Sequence, residues 1–205
     1  MWSFHRAFIG LVLVLAMDQP VPKEDLRFRF VMEQGLDASC GMAVVATALS
    51  LYWQVPVLEV ELLAELFAQG GGGEAEAEGR VSLASMAKAF ESRGVLAKAF
   101  RLDWEGLAAI LVRSYGPVVV HYDWPEPHFA LLLGISDGTA VLADPARGLE
   151  TLGRAGFEKR YSGVALVLAS SSRQKDQRRL ATALQAATAR WALLEYAARS
   201  RSVAW

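Results

Sequence analysis

HFALLLGISDGTAVLAD, residues 128–144, decides the fold. Two apolar runs of strand length flank Ser136-Asp137-Gly138-Thr139, residues with the chemistry of a turn. The spacing predicts a hairpin. His128 opens its first strand after Pro127, and Asp144 closes its second. The two stand eight residues either side of the turn's middle, so they are expected close to paired across the hairpin.

Further strands are predicted around it at VLAKAF (95–100), PVVVHY (117–122) and SGVALVLA (162–169), with a short helix at WEGLAAILVRS (104–114). The N-terminal half has a different period. CGMAVVATALSLYW, from Cys40, is apolar nearly all round and reads as a buried helix that Asp37 or Ser39 can cap. VLEVELLAELFA (57–68) and VSLASMAKAFESRG (81–94) read as two more, the last stopped by Gly94. QGGGGEAEAEG (69–79) has no apolar anchor and reads as a loop. LRFRFVM (26–32) alternates like a strand. Helices first and an antiparallel sheet second is an α+β layout, a helical half packed on a sheet.

The two ends differ from this body. Ala7 to Met17 is an apolar stretch behind Arg6, too short to span a bilayer and of the length of a secretory signal core. Val14 and Ala16 fit a cleavage site, so residues 1–16 are expected to be a signal peptide and 17–170 the folded domain. A chain with one Cys carries no internal disulfide, which fits export to a bacterial periplasm. Residues 171–205 form the third region. From Arg173 onward the tail holds seven Arg or Lys against Asp176 and Glu195. Leu180, Leu184, Ala187, Trp191, Leu194 and Ala198 make one apolar seam on a long helix. That helix either packs back on its own domain or docks a partner or an anionic membrane surface. The net charge of −1 gives no field for nucleic acid, so no nucleic-acid partner is expected.

Cys40 is the only thiol, and it lies between Ser39 and Gly41 at the polar edge of an apolar run. A helix start favours negative charge, which is what a nucleophilic sulfur needs. Gly41 leaves room for a substrate backbone to approach. Three His could serve as base. His5 lies in the signal, and His121 sits inside an apolar strand, where a structural role is expected. His128 remains, with Asp144 to orient its far nitrogen. Acyl transfer also needs donors for a developing oxyanion. The Cys40 N–H is one, and the side-chain amide of Gln34, six residues upstream, is another. One Cys and two mature-chain His lack the close pairing of a metal site, so no metal or other cofactor is expected.

Gln34, Asp37, Cys40 and Gly41 resemble the first motif of the papain-like cysteine peptidases that remove double-glycine leaders from bacteriocins. HFALLLGI followed by VLADPARG resembles their second motif. The resemblance covers residues 28 to 168. It implies a papain-like fold with Cys40 as nucleophile, His128 as base and acid, Asp144 as orienter, and Gln34 and Cys40 as the oxyanion hole. It departs from the pattern at Ser39, where Asp is frequent, and at Met42, where a small residue or Pro is usual.

The expectation is a periplasmic cysteine endopeptidase that cuts after Gly-Gly in an exported polypeptide. It would resemble stand-alone members, some of which accompany functional-amyloid export, with an export partner reached through the C-terminal helix and no membrane span once the signal is removed. Two alternatives stay open: a domain that binds leader peptides without cutting, and a papain-like peptide transferase. Substrate-binding residues are not legible; Trp53, Trp124 and Met42 are candidates by nearness in sequence alone.

Overall fold

The computed structural model describes residues 28–36, 39–68, 81–114 and 116–170, and six helical positions between 182 and 193. The signal region, Asp37, the Gly/Glu loop at 69–79 and most of the basic tail fall outside the described residues.

The helical half comes first. Helix α1 (Cys40–Thr47) runs into a π-helical turn, Ala48–Tyr52. Every residue from Gly41 to Thr47 is buried, which explains why this helix has no polar face. It packs against β3 (His128–Ser136), α2 (Glu59–Ala68) and α3 (Leu83–Glu91). The N-cap of α3 is Ser82, whose hydroxyl accepts from Ser85 N at 3.1 Å. Gly94, at φ 76°, lets the chain turn out of this helix. Gly41 has an internal reason to lack a side chain: a Cβ there would stand 2.9 Å from Val81 and 3.2 Å from Met86. Its bare face meets this protein's own core, so the expected room for substrate is absent at that position.

The sheet half holds β1 (Val95–Arg101), α4 (Trp104–Ser114), β2 (Val118–Tyr122), β3, β4 (Thr139–Asp144), β5 (Gly148–Gly153), α5 (Arg154–Arg160) and β6 (Tyr161–Ser170). The strands form one sheet in the order β1-β6-β2-β3-β4-β5. Each neighbouring pair is antiparallel. One face carries Val119, Leu131, Leu133 and Leu166 into a core shared with α1, α2 and α3. The other carries Val120, Ala130, Leu132 and Ala165 against Trp104 and Leu107 of α4 and Phe157 of α5. The expected α+β, papain-like arrangement is present, with helices on both faces of the sheet.

Three readings need correction. Phe28–Val31 is a turn, with no strand among the described residues of 26–32. The backbone there bonds to the helical half: Met32 N donates to Thr47 Oγ1 at 3.0 Å, and Phe30 O accepts from Tyr52 OH at 3.1 Å. Two elements, β5 and α5, appear where none was read. Finally, the β3–β4 hairpin turns at Asp137 (φ 50°) and Gly138 (φ 72°), with Ser136 opposite Thr139. A bulge between Leu132 and Gly134 then shifts the register, giving Leu131 opposite Ala143. Continuing that ladder puts Asp144 abreast of Ala130. His128 lies two residues further along the same face, a diagonal neighbour within side-chain reach.

Candidate active site

Cys40 is the first residue of α1, half-buried and free. Ser39 precedes it but does not cap the helix. Its hydroxyl bonds instead to Leu36 O at 2.8 Å and to Glu59 Oε1. Glu59, at the start of α2, also accepts from Gly35 N at 2.8 Å through Oε2. One carboxylate thus ties both ends of the loop before Cys40 to the second helix.

On the sheet side, His128 begins β3 opposite Tyr122 of β2, with the two rings stacked at 6.5 Å. Its Nε2 bonds Asp144 Oδ1 at 2.9 Å, and Cys40 lies close enough for its side chain to raise the pKa of the ring. The sulfur comes from the helical layer, and the imidazole and carboxylate come from the sheet. Asp144 is fully buried, and Oδ1 also accepts from Ala146 N at 2.8 Å. This Asx turn fixes the carboxylate from its own backbone. Burial, the largest effect on the His128 ring, disfavours its charge. Hydrogen bonds to Asp144 and Cys40, together with their charges, outweigh it, and the pKa rises from 6.5 to about 9.

Gln34 is brought to the same place. Its N–H donates to Pro145 O at 3.0 Å, joining the loop before α1 to the end of β4. Gln34, Cys40 and His128 line one cavity of about 560 Å³, with Trp124, Glu126 and Arg147 on its walls. The Gln34 Oε1 is buried without a hydrogen-bond partner. The four residues expected to act together are therefore neighbours. Of the residues named by sequence nearness, only Trp124 reaches the cavity. Met42 is 1% exposed in the core, and the Trp53 ring packs over Gly116.

Several groups were not singled out as parts of the site. His121 lines the cavity, with Nδ1 3.0 Å from Ser162 Oγ and its ring against Phe129. Burial, first, holds its pKa below 6.5, although Asp123 opposes this. Arg147 Nη1 lies 3.9 Å from Asp144 Oδ2 and 3.9 Å from Glu150 Oε1. Burial, and then the charge of Asp144, raise the pKa of Glu150, with Arg147 and Arg160 opposing. The i,i+3 spacing of Asp144 and Arg147 was the one sequence signal for this group. Among the described residues no cluster of three or more His, Cys, Asp or Glu could hold a metal ion.

Two curated proteins are similar to this chain. One is the "Probable microcin-H47 secretion/processing ATP-binding protein MchF" of Escherichia coli, 27% identical over 152 residues. The match covers 72% of this chain and 20% of that protein. The other is the "Probable functional amyloid protease FapD" of Pseudomonas aeruginosa, 27% identical over 143 residues, covering 69% of this chain and 61% of that protein. The chain therefore spans less than two thirds of the length of either. Among solved structures, a double glycine motif protease from an AMS/PCAT transporter, in complex with its leader peptide, superposes with a TM-score of 0.56 at 24% identity. It covers 69% of this chain and 91% of that one. The peptidase domain of Streptococcus ComA gives 0.56 at 18% identity, covering 69% and 98%. Both show the same fold. The model described as the Peptidase C39 family matches residues 29–173, which include Cys40, His128, Asp144 and Gln34, and the chain belongs to that family.

Proposed function

We propose that this protein is a cysteine endopeptidase that cuts after a Gly-Gly pair in an exported polypeptide, with Cys40, His128 and Asp144 as its triad. The observation that carries this reading is the convergence of Cys40 and His128 on the wall of one cleft, with His128 bonded to Asp144. A ring that keeps its proton to about pH 9 is the cationic half of a thiolate–imidazolium pair. The start of α1 supports the anionic half through its unpaired N–H groups and its dipole.

The sulfur attacks the scissile carbonyl, and the carbonyl π electrons move to oxygen. The Cys40 N–H and the Gln34 amide stabilise that oxyanion. As the C–N bond breaks, the imidazolium gives its proton to the leaving amine and a thioester forms. The neutral ring then takes a proton from water. The resulting hydroxide attacks the thioester, and the sulfur leaves as the thiolate beside the reprotonated ring. Asp144 holds Nε2 throughout, so the other nitrogen faces the sulfur.

The Gly-Gly substrate is inferred from relatives: one structural neighbour is a double glycine motif protease, and one curated relative is a probable functional amyloid protease. A periplasmic site of action is inferred from the signal-like stretch Ala7–Met17. The test is to incubate the purified protein with candidate Gly-Gly polypeptides and identify new termini by mass spectrometry. New C-termini at Gly-Gly support the reading. Binding without cleavage, or transfer of the acyl group to an amine, overturns it in favour of an adaptor or a transferase.

A further inference from the structure

Asp144 is 0% exposed, yet only one of its oxygens is committed to hydrogen bonds. Oδ2 accepts none. A buried carboxylate with an unpaired oxygen is costly unless a counter-charge stands near. The nearest is Arg147, with Nη1 at 3.9 Å. Arg147 is itself 42% exposed. On β5, Glu150 Oε1 lies 3.9 Å from Arg147 Nη1 and 3.5 Å from Arg160 Nη1. The β4–β5 ladder places Leu142 opposite Glu150 and Asp144 opposite Gly148, so this carboxylate reaches the same end of the hairpin. The result is a row of alternating charge: His128, Asp144, Arg147, Glu150, Arg160. Its far members touch neither the thiol nor the cavity's catalytic groups, and the reaction as written does not use them.

We infer that Arg147 and Glu150 are positioning residues that set the proton affinity of His128 through Asp144, with opposite signs. This rests on the reading of Cys40, His128 and Asp144 as the reacting groups. Arg147 places a cation beside the carboxylate, and so weakens the pull of Asp144 on the imidazolium. Glu150 places an anion beside that cation and offsets its charge. The coupling reaches the ring itself, since the charge of His128 acts on Glu150, and electrostatic coupling is mutual. The other titratable groups around the ring are Cys40 from α1, Tyr122 and His121 from β2, Asp123 beside them, and Glu126 of the loop before β3. Neither variant below alters any of them.

The test is an NMR titration of the full chain, following the His128 ring resonance assigned by its loss in His128→Asn. In the unaltered protein the ring is expected to titrate near 9. Glu150→Gln keeps the shape and removes the anion, so the midpoint falls, by about half a pH unit or more. Arg147→Gln removes the cation, so it rises by a similar amount. Opposite displacements support the inference. No displacement, or displacement of both in one direction, overturns it, and a lowered melting temperature alone would show only a structural role. A ring that titrates at an ordinary 6.5 in the unaltered protein would instead undo the reading of the site itself. Thermal melts of both variants establish that each is folded before its midpoint is read.

Discussion

Two clefts of nearly equal volume open on this molecule, about 570 Å³ and about 560 Å³, and they differ in what their walls are free to do. The first is built from two neighbouring stretches, Arg101–Trp104 and Glu158–Gly163, which the β1–β6 ladder brings side by side. Its polar groups serve the fold. Asp103 Oδ1 caps α4 by accepting from Gly106 N at 2.8 Å, and Ser162 Oγ bonds His121 and accepts from Val164 N. The second draws Gln34, Cys40, His121, His128 and Arg147 from segments far apart in the chain. There a thiol and an imidazole line the same space. Volume alone does not mark a reactive site; convergence of groups that the fold does not otherwise need does.

The sharpest way to break this contrast is Cys40→Ala. Cleavage at Gly-Gly, read by mass spectrometry of new termini, is expected to fall on the order of 10⁴-fold or more. The thermal melt should stay nearly unchanged, because Cys40 is only half-buried. A stable variant that still cuts would put the two clefts on an equal footing. Next in size is Gln34→Ala, which should lower kcat by about 10²–10³, with KM nearly constant, since an oxyanion donor acts in the transition state. A rise in KM alone would recast Gln34 as a substrate contact.

The effect of pH comes third. The His128 pKa in the folded chain is about 9, above its ordinary 6.5. The ring therefore stabilises the folded state as the imidazolium, fully below pH 6.5, and that contribution is lost as pH rises through about 9. The cleavage rate should fall along the same limb, by about tenfold between pH 8 and pH 10. A rate that keeps climbing through this range would separate the ring from the chemistry. The smallest effect belongs to the other cleft: Arg101→Ala is expected to leave kcat/KM within about twofold, and a larger loss would give that cleft a part in the reaction.

The active-site side of this comparison was legible because its residue types are rare. There is one Cys in the chain, two His beyond residue 16, and an Asp at the end of a strand. The β3–β4 hairpin was legible from Asp137-Gly138, the two residues that take positive φ. What stayed hidden is of two kinds. The bulge between Leu132 and Gly134 lies in a run of uninterrupted apolar residues, where period carries no register information. So the residues of the His128–Asp144 pair were named, but their diagonal placement was not. Helix α5 was hidden by Gly156, which costs about 1 kcal/mol inside a helix. Complete burial of Phe157 contributes about 2–3 kcal/mol and offsets it, and no local signal reports that. The reverse error, a strand at 26–32, came from true alternation in a segment whose backbone groups bond to Thr47 and Tyr52.

Because the sulfur rides on α1 and the imidazole on β3, the thiol's reactivity is a gauge of how tightly the helical half grips the sheet. A small slip at that seam separates the pair while every helix and strand keeps its own hydrogen bonds. In rising urea, Cys40 labelling by iodoacetamide should therefore lapse to the behaviour of a solitary thiol before far-UV circular dichroism changes. The enzyme would fall silent ahead of unfolding.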